Sequence, residues 1–155
     1  MNLPKTILVP TDFGASSDRA LAYAASLAKA LGAEIVVLHA YDLPIIGFPD
    51  GALVATPELA TRITEGANIG MRKALETHAG AGVPMRSVIK QGVTWRTILD
   101  VATELGCDMI VMGTHGRHGL PRALLGSVAE KIVRSAHLPV LTVHTEDKDA
   151  PAPAS

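Results

Sequence analysis

The sequence has a single cysteine, almost no net charge and no long apolar run, and each absence narrows the possible function. Cys107 has no partner for an internal disulfide, which favours a reducing compartment. With a net charge of -1, the chain lacks the excess of positive charge with which proteins bind nucleic acid or anionic membranes. No apolar run approaches the roughly 18 residues that span a bilayer, and the opening MNLPKTILVP is unlike a signal peptide. We therefore expect a cytoplasmic protein that binds neither nucleic acid nor membrane.

The apolar content is high enough for one packed domain. Apolar types make up 48% of the 155 residues, which is sufficient for a sizeable hydrophobic core. The segment 146–155, EDKDAPAPAS, has almost no apolar content and is predicted to be a disordered tail. We therefore predict a single domain over residues 1–145.

Apolar, often β-branched runs alternate with segments in which apolar residues recur at helical spacing. The runs are continuously apolar, which is typical of strands buried on both faces of a parallel sheet. Strands are predicted at 6–10, 34–41, 85–90, 108–112 and 140–144, and helices at about 16–31, 57–79, 94–105 and 126–136. This order predicts an α/β fold, a five-stranded parallel open sheet with helices on both faces, similar to a Rossmann fold.

Several residues indicate where helices begin. Ser16 or Ser17 is expected to cap the first helix and Thr94 the third, because hydroxyl oxygens accept the free N–H groups of a helix start. Pro57 suits the first turn of the second helix. The connection over residues 42–57 contains prolines and glycines that argue against regular structure.

Four of the 14 glycines lie in the connection between the fourth strand and the last helix: Gly113, Gly116, Gly119 and Gly126. This connection is about fourteen residues long, where roughly two to six are usual, and such excess length often serves a function. It leaves the carboxyl end of a strand, which is where parallel sheets bind ligands. Gly126 and Ser127 open a helix whose first N–H groups lack internal partners and attract anions. These features predict a phosphate-binding loop.

The same segment is locally cationic on a slightly acidic chain. It contains or adjoins Arg117, Arg122 and Lys131, with His115 and His118 between them. The alternative, in which the glycines only form turns and the cations are solvated, stays open at this point. Neither the P-loop pattern GxxxxGK[ST] nor the dinucleotide pattern GxGxxG is present.

Gly113, Gly116, Gly126 and Ser127 satisfy the pattern G-2x-G-9x-G-[ST], and here the chain resembles the ATP-binding branch of the universal stress protein family. GTHGRHGL, LLGSVAEKIVR and PVLTV are similar to the C-terminal half of that family, and KTILVPTDFGASSDRAL and IVVLHAY to its beginning. The resemblance covers residues 5–144. It implies strand order 3-2-1-4-5, with the ends of the first and fourth strands side by side.

The resemblance also implies which residues contact an adenine nucleotide. The family's aspartate at the position of Asp12 contacts the ribose and adenine region, and the residues at Pro10 and Thr11 line the pocket. Ala40 stands where the family usually has a valine that meets adenine through its backbone and side chain. The smaller side chain loses some apolar contact, whereas the backbone groups remain available.

The remaining implied contacts lie in the second half of the chain. Met112 and Val128 match further pocket positions. Ser127, with the N–H groups of Gly116 and Gly126, would hold the phosphates. Gly113 and Arg117 complete the predicted binding residues, which are Pro10, Thr11, Asp12, Ala40, Met112, Gly113, Gly116, Arg117, Gly126, Ser127 and Val128.

The implied cofactor is ATP, accompanied by Mg²⁺, in a stress-response or signalling protein that is at most a slow ATPase. No general base is evident, so hydrolysis would depend on positioning and charge neutralisation. A ligand-free dimeric interaction protein and an ATP-dependent transferase remain open as alternatives. His115 and His118 are too few for a zinc site, and Ser127 lacks the G-x-S-x-G elbow of a nucleophile. We predict no catalytic or metal-binding residue.

The last predicted strand suggests an oligomer. In the implied order this strand lies at the sheet edge, and its apolar residues Val140, Leu141 and Val143 would be exposed unless the edge is paired. Family members pair this strand antiparallel across a two-fold axis, which implies a homodimer. Residues 42–56 are a candidate lid over the nucleotide.

Overall fold

The computed structural model describes residues 2–43, 46–47, 49, 53–54, 56–115 and 125–144. Its strands are β1 (Thr6–Pro10), β2 (Glu34–Tyr41), β3 (Ile46–Gly47), β4 (Leu53–Val54), β5 (Met85–Gln91), β6 (Met109–Gly113) and β7 (Val140–Val143). Its helices are α1 (Ala15–Leu31), α2 (Pro57–His78), α3 (Thr94–Glu104) and α4 (Ser127–Ser135), and a short 3₁₀ helix, Ala79–Ala81, follows α2. The predicted tail at 146–155 lies outside the described residues.

Five strands form one parallel sheet in the order β5-β2-β1-β6-β7. Counting these five long strands along the chain, the order is 3-2-1-4-5, so the topology implied by the resemblance is confirmed. Leu8 of β1 is in register with Val36 of β2 on one side and with Ile110 of β6 on the other. The carboxyl ends of β1 and β6 therefore lie side by side.

Both faces of the sheet are buried under helices, because successive strand residues point to opposite sides. Ile7 and Val9 belong to a core cluster that contains residues of α1 and α2. Leu8 belongs to the other cluster, which contains residues of α3 and α4. Strands with two buried faces need apolar side chains at every position, which explains the continuous apolar runs of the sequence.

The connection after β2 contains a short piece of regular structure that was not predicted. Ile46 pairs with Val54 and Gly47 with Leu53, in antiparallel register. Both strands are two residues long, and β-branched residue types such as those at 46 and 54 favour extended backbone. The candidate lid at 42–56 otherwise lies largely outside the described residues.

The predicted hydroxyl caps of two helices are wrong. Gly14 is the N-cap of α1 and Val93 that of α3, and neither supplies a side-chain cap. Ser16, Ser17 and Thr94 lie inside these helices. Within the described chain, no helix combines the length and apolar character needed to cross a membrane.

The second helix begins as expected at Pro57, and its cap was missed. The hydroxyl of Thr56 accepts a bond from the Leu59 N–H at 3.3 Å. Strand β6 begins one residue later than predicted, at Met109. The Asp108 side chain instead accepts bonds from the backbone N–H groups of Lys5 and Thr6.

Candidate functional site

A cavity of about 640 Å³ opens at the carboxyl ends of β1, β2 and β6, beside the first turns of α1, α3 and α4. All predicted binding residues within the described part of the chain line it: Pro10, Thr11, Asp12, Ala40, Met112, Gly113, Gly126, Ser127 and Val128. The other two, Gly116 and Arg117, lie outside the described residues, as do Gly119, Arg122 and His118. Strand order alone brings together segments that are more than a hundred residues apart in the chain.

The apolar wall of the cavity is the open end of one core cluster. Leu38, Ile98 and Met112 are buried in that cluster and also border the cavity. Ala40 packs against the same cluster at the end of β2. A flat, largely apolar group can pack against these side chains, which suits a nucleobase.

The connection from β1 to α1 carries Asp12 into the cavity. Asp12 Oδ1 accepts bonds from the Gly14 N–H at 2.8 Å and from the Ser17 hydroxyl at 2.9 Å. Between them, Phe13 adopts a left-handed conformation with φ of 63°. This backbone conformation costs free energy in a bulky residue and persists only where surrounding contacts hold it.

Three residues hold Phe13 and the connection in place. The Phe13 ring stacks at a tilt on His39, with ring centroids 4.3 Å apart. His39 Nδ1 also hydrogen-bonds the Thr11 carbonyl oxygen at 2.8 Å. A Cβ atom added to Gly70 of α2 would lie 2.7 Å from the ring, so helix α2 can pack on Phe13 here because residue 70 has no side chain.

Gly113, at the end of β6, allows helix α1 to approach this strand closely. A Cβ atom added there would lie 2.9 Å from the Ser16 carbonyl oxygen in the first turn of α1. The absent side chain therefore makes room for the start of α1.

Gly126 has its amide committed to the protein. Its N–H donates to the Thr114 carbonyl oxygen at 2.7 Å. In this structure that N–H is therefore not free to hold a phosphate, although Gly126 lines the cavity. The first N–H to bond within α4 is that of Glu130. The free donors are therefore the N–H groups of the three residues before it, 127–129.

The start of α4 faces the cavity with three residues, Ser127, Val128 and Ala129. Their N–H groups have no intrahelical acceptor, and the helix dipole adds partial positive charge there. On the opposite flank of the connection, His115 also lines the cavity, and its Nδ1 lies 3.1 Å from the Thr114 hydroxyl. This arrangement can bind an anion beside an apolar wall and a carboxylate.

The titratable groups with a shifted pKa lie at the amino ends of the strands, opposite the cavity. The N–H groups of Lys5 and Thr6 lower the pKa of Asp108. Burial raises the pKa of the Cys107 thiol. Among the described residues, no group of three or more His, Cys, Asp or Glu side chains could hold a metal ion.

Comparison with known proteins decides the family. The model of the universal stress protein family matches residues 4–144. The chain belongs to the universal stress protein family. The curated universal stress protein MJ0531 of Methanocaldococcus jannaschii is 35% identical over 150 residues, which cover 96% of this chain and 86% of that protein.

Solved structures of the universal stress protein family share the fold. The structure of MJ0577, also from Methanocaldococcus jannaschii, aligns with a TM-score of 0.76 at 27% identity, covering 93% of this chain and 98% of that one. A universal stress protein solved in complex with cAMP aligns with a TM-score of 0.70 at 26% identity, covering 94% and 100%.

Sequence reasoning on this universal stress protein missed several cavity residues, which are Ser17, Leu38, Thr94, Ile98, Thr114, His115 and Ala129. Leu38 and Ile98 have the pattern of core residues, and the sequence does not reveal that the core opens at their position. Ser17 and Thr94 were interpreted as caps. His115 carried the clearest signal, since it stands between two glycines of the predicted loop.

Proposed function

We propose that this universal stress protein binds an adenine nucleotide, ATP in the first place, in the cavity at the carboxyl ends of the strands. The observation that carries the proposal is the convergence of the free helix start at Ser127 and the Asp12 carboxylate on one apolar-walled cavity. A volume of about 640 Å³ lies within the roughly 300–1,000 Å³ range of small-molecule sites.

Each part of a nucleotide has a counterpart in the lining. The N–H groups of Ser127, Val128 and Ala129 suit a phosphate, as helix starts generally do. The base fits the apolar wall, where the backbone of Ala40 offers donor and acceptor groups to the adenine edge. The Asp12 carboxylate can then accept hydrogen bonds from the hydroxyls of the sugar. In this assignment Gly116 and Arg117 add further phosphate contacts.

The comparison with relatives supports an adenine nucleotide. The universal stress protein solved with cAMP has the same fold at 26% identity. The chain also carries the G-2x-G-9x-G-[ST] pattern of the family's ATP-binding branch. We therefore assign the chain to that branch.

Mg²⁺ would accompany ATP, held by the phosphates, and would neutralise their charge. The described lining contains no residue that we assign as a general base. Hydrolysis, if the bound ATP is hydrolysed, is therefore slow and depends on positioning and charge neutralisation. The cavity fits a stress-response or signalling module in which occupancy by the nucleotide is the signal.

We further propose a cytoplasmic homodimer through β7, with residues 146–155 as a tail and 42–56 as a lid. Strand β7 is at the edge of the sheet, and its backbone can pair with a second copy. The Thr114 N–H donates to the Val143 carbonyl oxygen at 3.3 Å. Because backbone groups of successive strand residues point to opposite sides, those of Thr142 point to the open edge.

The test is to identify what the protein carries and what it binds. Purified protein is denatured and the released small molecules are identified by mass spectrometry, and the emptied protein is titrated calorimetrically with ATP, ADP, AMP and cAMP. We expect a stoichiometric adenine nucleotide and tightest binding of ATP. No released nucleotide together with no binding of any of the four would overturn the proposal and favour a ligand-free interaction protein.

A further inference from the structure

The two oxygens of the Asp12 carboxylate have different surroundings. Oδ1 accepts two bonds from the protein, at 2.8 Å from the Gly14 N–H and at 2.9 Å from the Ser17 hydroxyl. Within the described chain, no protein group donates to Oδ2, and Asp12 lines the cavity. One oxygen is therefore committed to the fold, and the other is available to a ligand.

The Ser17 hydroxyl has one proton and three candidate acceptors. Asp12 Oδ1 lies at 2.9 Å, and the Gly14 carbonyl oxygen and the Thr11 hydroxyl lie at 3.1 Å. The carboxylate is charged and therefore the strongest of the three acceptors. If the proton pointed elsewhere, a Ser17 lone pair would face Oδ1 at 2.9 Å, which is repulsive.

The rest of the network agrees with this direction. The Phe13 N–H donates to the Thr11 hydroxyl oxygen at 3.0 Å, so the proton of Thr11 is free to point at Ser17. Donation then runs from Thr11 to Ser17 to Asp12. Thr11 and Ser17 are only 9% and 7% exposed, and such buried chains of hydrogen bonds are stronger than exposed ones.

We propose that Ser17 is a positioning residue, whose hydroxyl orients the Asp12 carboxylate so that Oδ2 accepts from the sugar hydroxyls of the bound nucleotide. This inference rests on the proposed function. An ionised carboxylate oxygen can only accept hydrogen bonds, so it recognises a donor on the ligand. The vicinal hydroxyls of a ribose offer two such donors side by side.

The neighbouring residue provides a matched control. Ser16 is 8% exposed, and within the described chain its Oγ has no hydrogen-bond partner. Both serines are thus buried hydroxyls in the first turn of α1, and Ser17 alone donates to Asp12. Replacing either by alanine makes the same chemical change in almost the same place.

The experiment compares Ser17→Ala and Ser16→Ala with the unmodified protein, using calorimetric affinities for ATP and for 2′,3′-dideoxy-ATP. We expect Ser17→Ala to weaken ATP binding by roughly tenfold, the equivalent of one hydrogen bond to a charged group. Its affinity for the dideoxy nucleotide should stay unchanged, because that ligand lacks the hydroxyls. Ser16→Ala should change neither affinity.

Equal losses for both ligands would show that Ser17 has only a structural role, and no loss for either would show that it has none; both results overturn the inference while leaving the proposed function intact. If unmodified protein binds no ATP, the inference and the proposed function fail together. Should Ser17→Ala not fold, Thr11→Val removes the donor to Ser17, and the same selective loss is expected, of smaller size.

Discussion

The amide of Gly126 donates a 2.7 Å hydrogen bond to the carbonyl oxygen of Thr114. This bond joins the two ends of the glycine-rich connection at its base, next to the end of β6. It fixes the start of α4 relative to the sheet, whatever the residues between them do. The free N–H groups at the start of α4, from Ser127 onward, are therefore held beside the end of β6.

A negative charge at the start of α4 should strongly weaken nucleotide binding without harming the fold. Ser127→Asp places a carboxylate where the phosphates are expected, and we predict a loss of ATP affinity of about a hundredfold or more, since like charges in contact cost several kcal/mol. The same carboxylate interacts favourably with the helix dipole. Calorimetric titration measures the affinity, and thermal unfolding measures the stability.

Ser127→Asn is the control for this charge. It has nearly the same shape as the aspartate variant and no charge, so we expect less than about a tenfold loss, the worth of one hydrogen bond. If the aspartate and asparagine variants bind ATP equally well, phosphates do not contact the start of α4.

Two glycines of α2, one turn apart, should respond oppositely to alanine. Gly66 has no atom within 4 Å of an added Cβ, so Gly66→Ala should stabilise the protein by up to about 1 kcal/mol through helix propensity. At Gly70 the added Cβ meets the Phe13 ring at 2.7 Å, so Gly70→Ala should destabilise it by about 1–3 kcal/mol. Denaturant unfolding measures both.

Gly70→Ala should also weaken ATP binding, because Phe13 belongs to the connection that carries Asp12. Gly66→Ala should leave ATP affinity unchanged. A stabilised Gly70→Ala protein would mean that Phe13 does not pack against α2 in solution.

The hydrogen bonds to Asp108 should make stability depend on pH. The pKa of this carboxyl is lowered in the fold by the N–H groups of Lys5 and Thr6. Its contribution is therefore present above the unfolded pKa of about 3.9 and is lost as the pH falls through the folded value. Asp108→Asn should lower the free energy of unfolding at pH 7, and the difference from the unmodified protein should shrink below pH 4.

Asp100→Asn, on the exposed side of α3, provides a charge-matched comparison for the unfolding curves. ATP affinity should stay unchanged in Asp108→Asn, because this residue lies at the edge of the sheet away from the cavity. A difference between the Asp108→Asn and unmodified proteins that is constant from pH 3 to pH 7 would contradict the prediction.

The proposed dimer should depend on the outward backbone of β7. Thr142→Pro removes an N–H that points to the open edge, whereas the ladder to β6 uses the residues on either side. We expect sedimentation velocity to show a dimer for the unmodified protein and a monomer for this variant. Thr142→Val keeps the N–H and should remain dimeric. A dimeric proline variant would place the interface elsewhere.

The fold class was predictable because burial on both faces of a sheet leaves a local signature. A strand such as β1 is apolar from Ile7 to Pro10, and Ile7 and Leu8 are buried on opposite sides. Strand order has no such signature, and here it came from the resemblance to a family. The site depends on that order, since Asp12 and Ser127 share a cavity only because β1 and β6 are neighbours.

The structure differs from the sequence-based expectations mainly at polar groups that had more than one possible partner. Ser17 has the residue type of a helix cap, but it lies inside α1, where its hydroxyl donates to the Asp12 carboxylate five positions earlier in the chain. Gly126 begins a helix as predicted, yet its N–H is taken by Thr114. In both cases the hydrogen-bond partner depends on distances in the folded chain, which cannot be read from the composition or from the spacing of residues in the sequence.

By itself the sequence determined which segments become the four helices and the five strands of the main sheet, and which residue types can bind a phosphate, because these depend on local periodicity and side-chain chemistry. The tertiary structure alone decided which donors remain free, which oxygen of Asp12 is available and why Gly113 must lack a side chain. Those outcomes follow from contacts between segments far apart in the chain, and a hydrogen bond or a close approach exists only once both partners have been brought within a few ångströms.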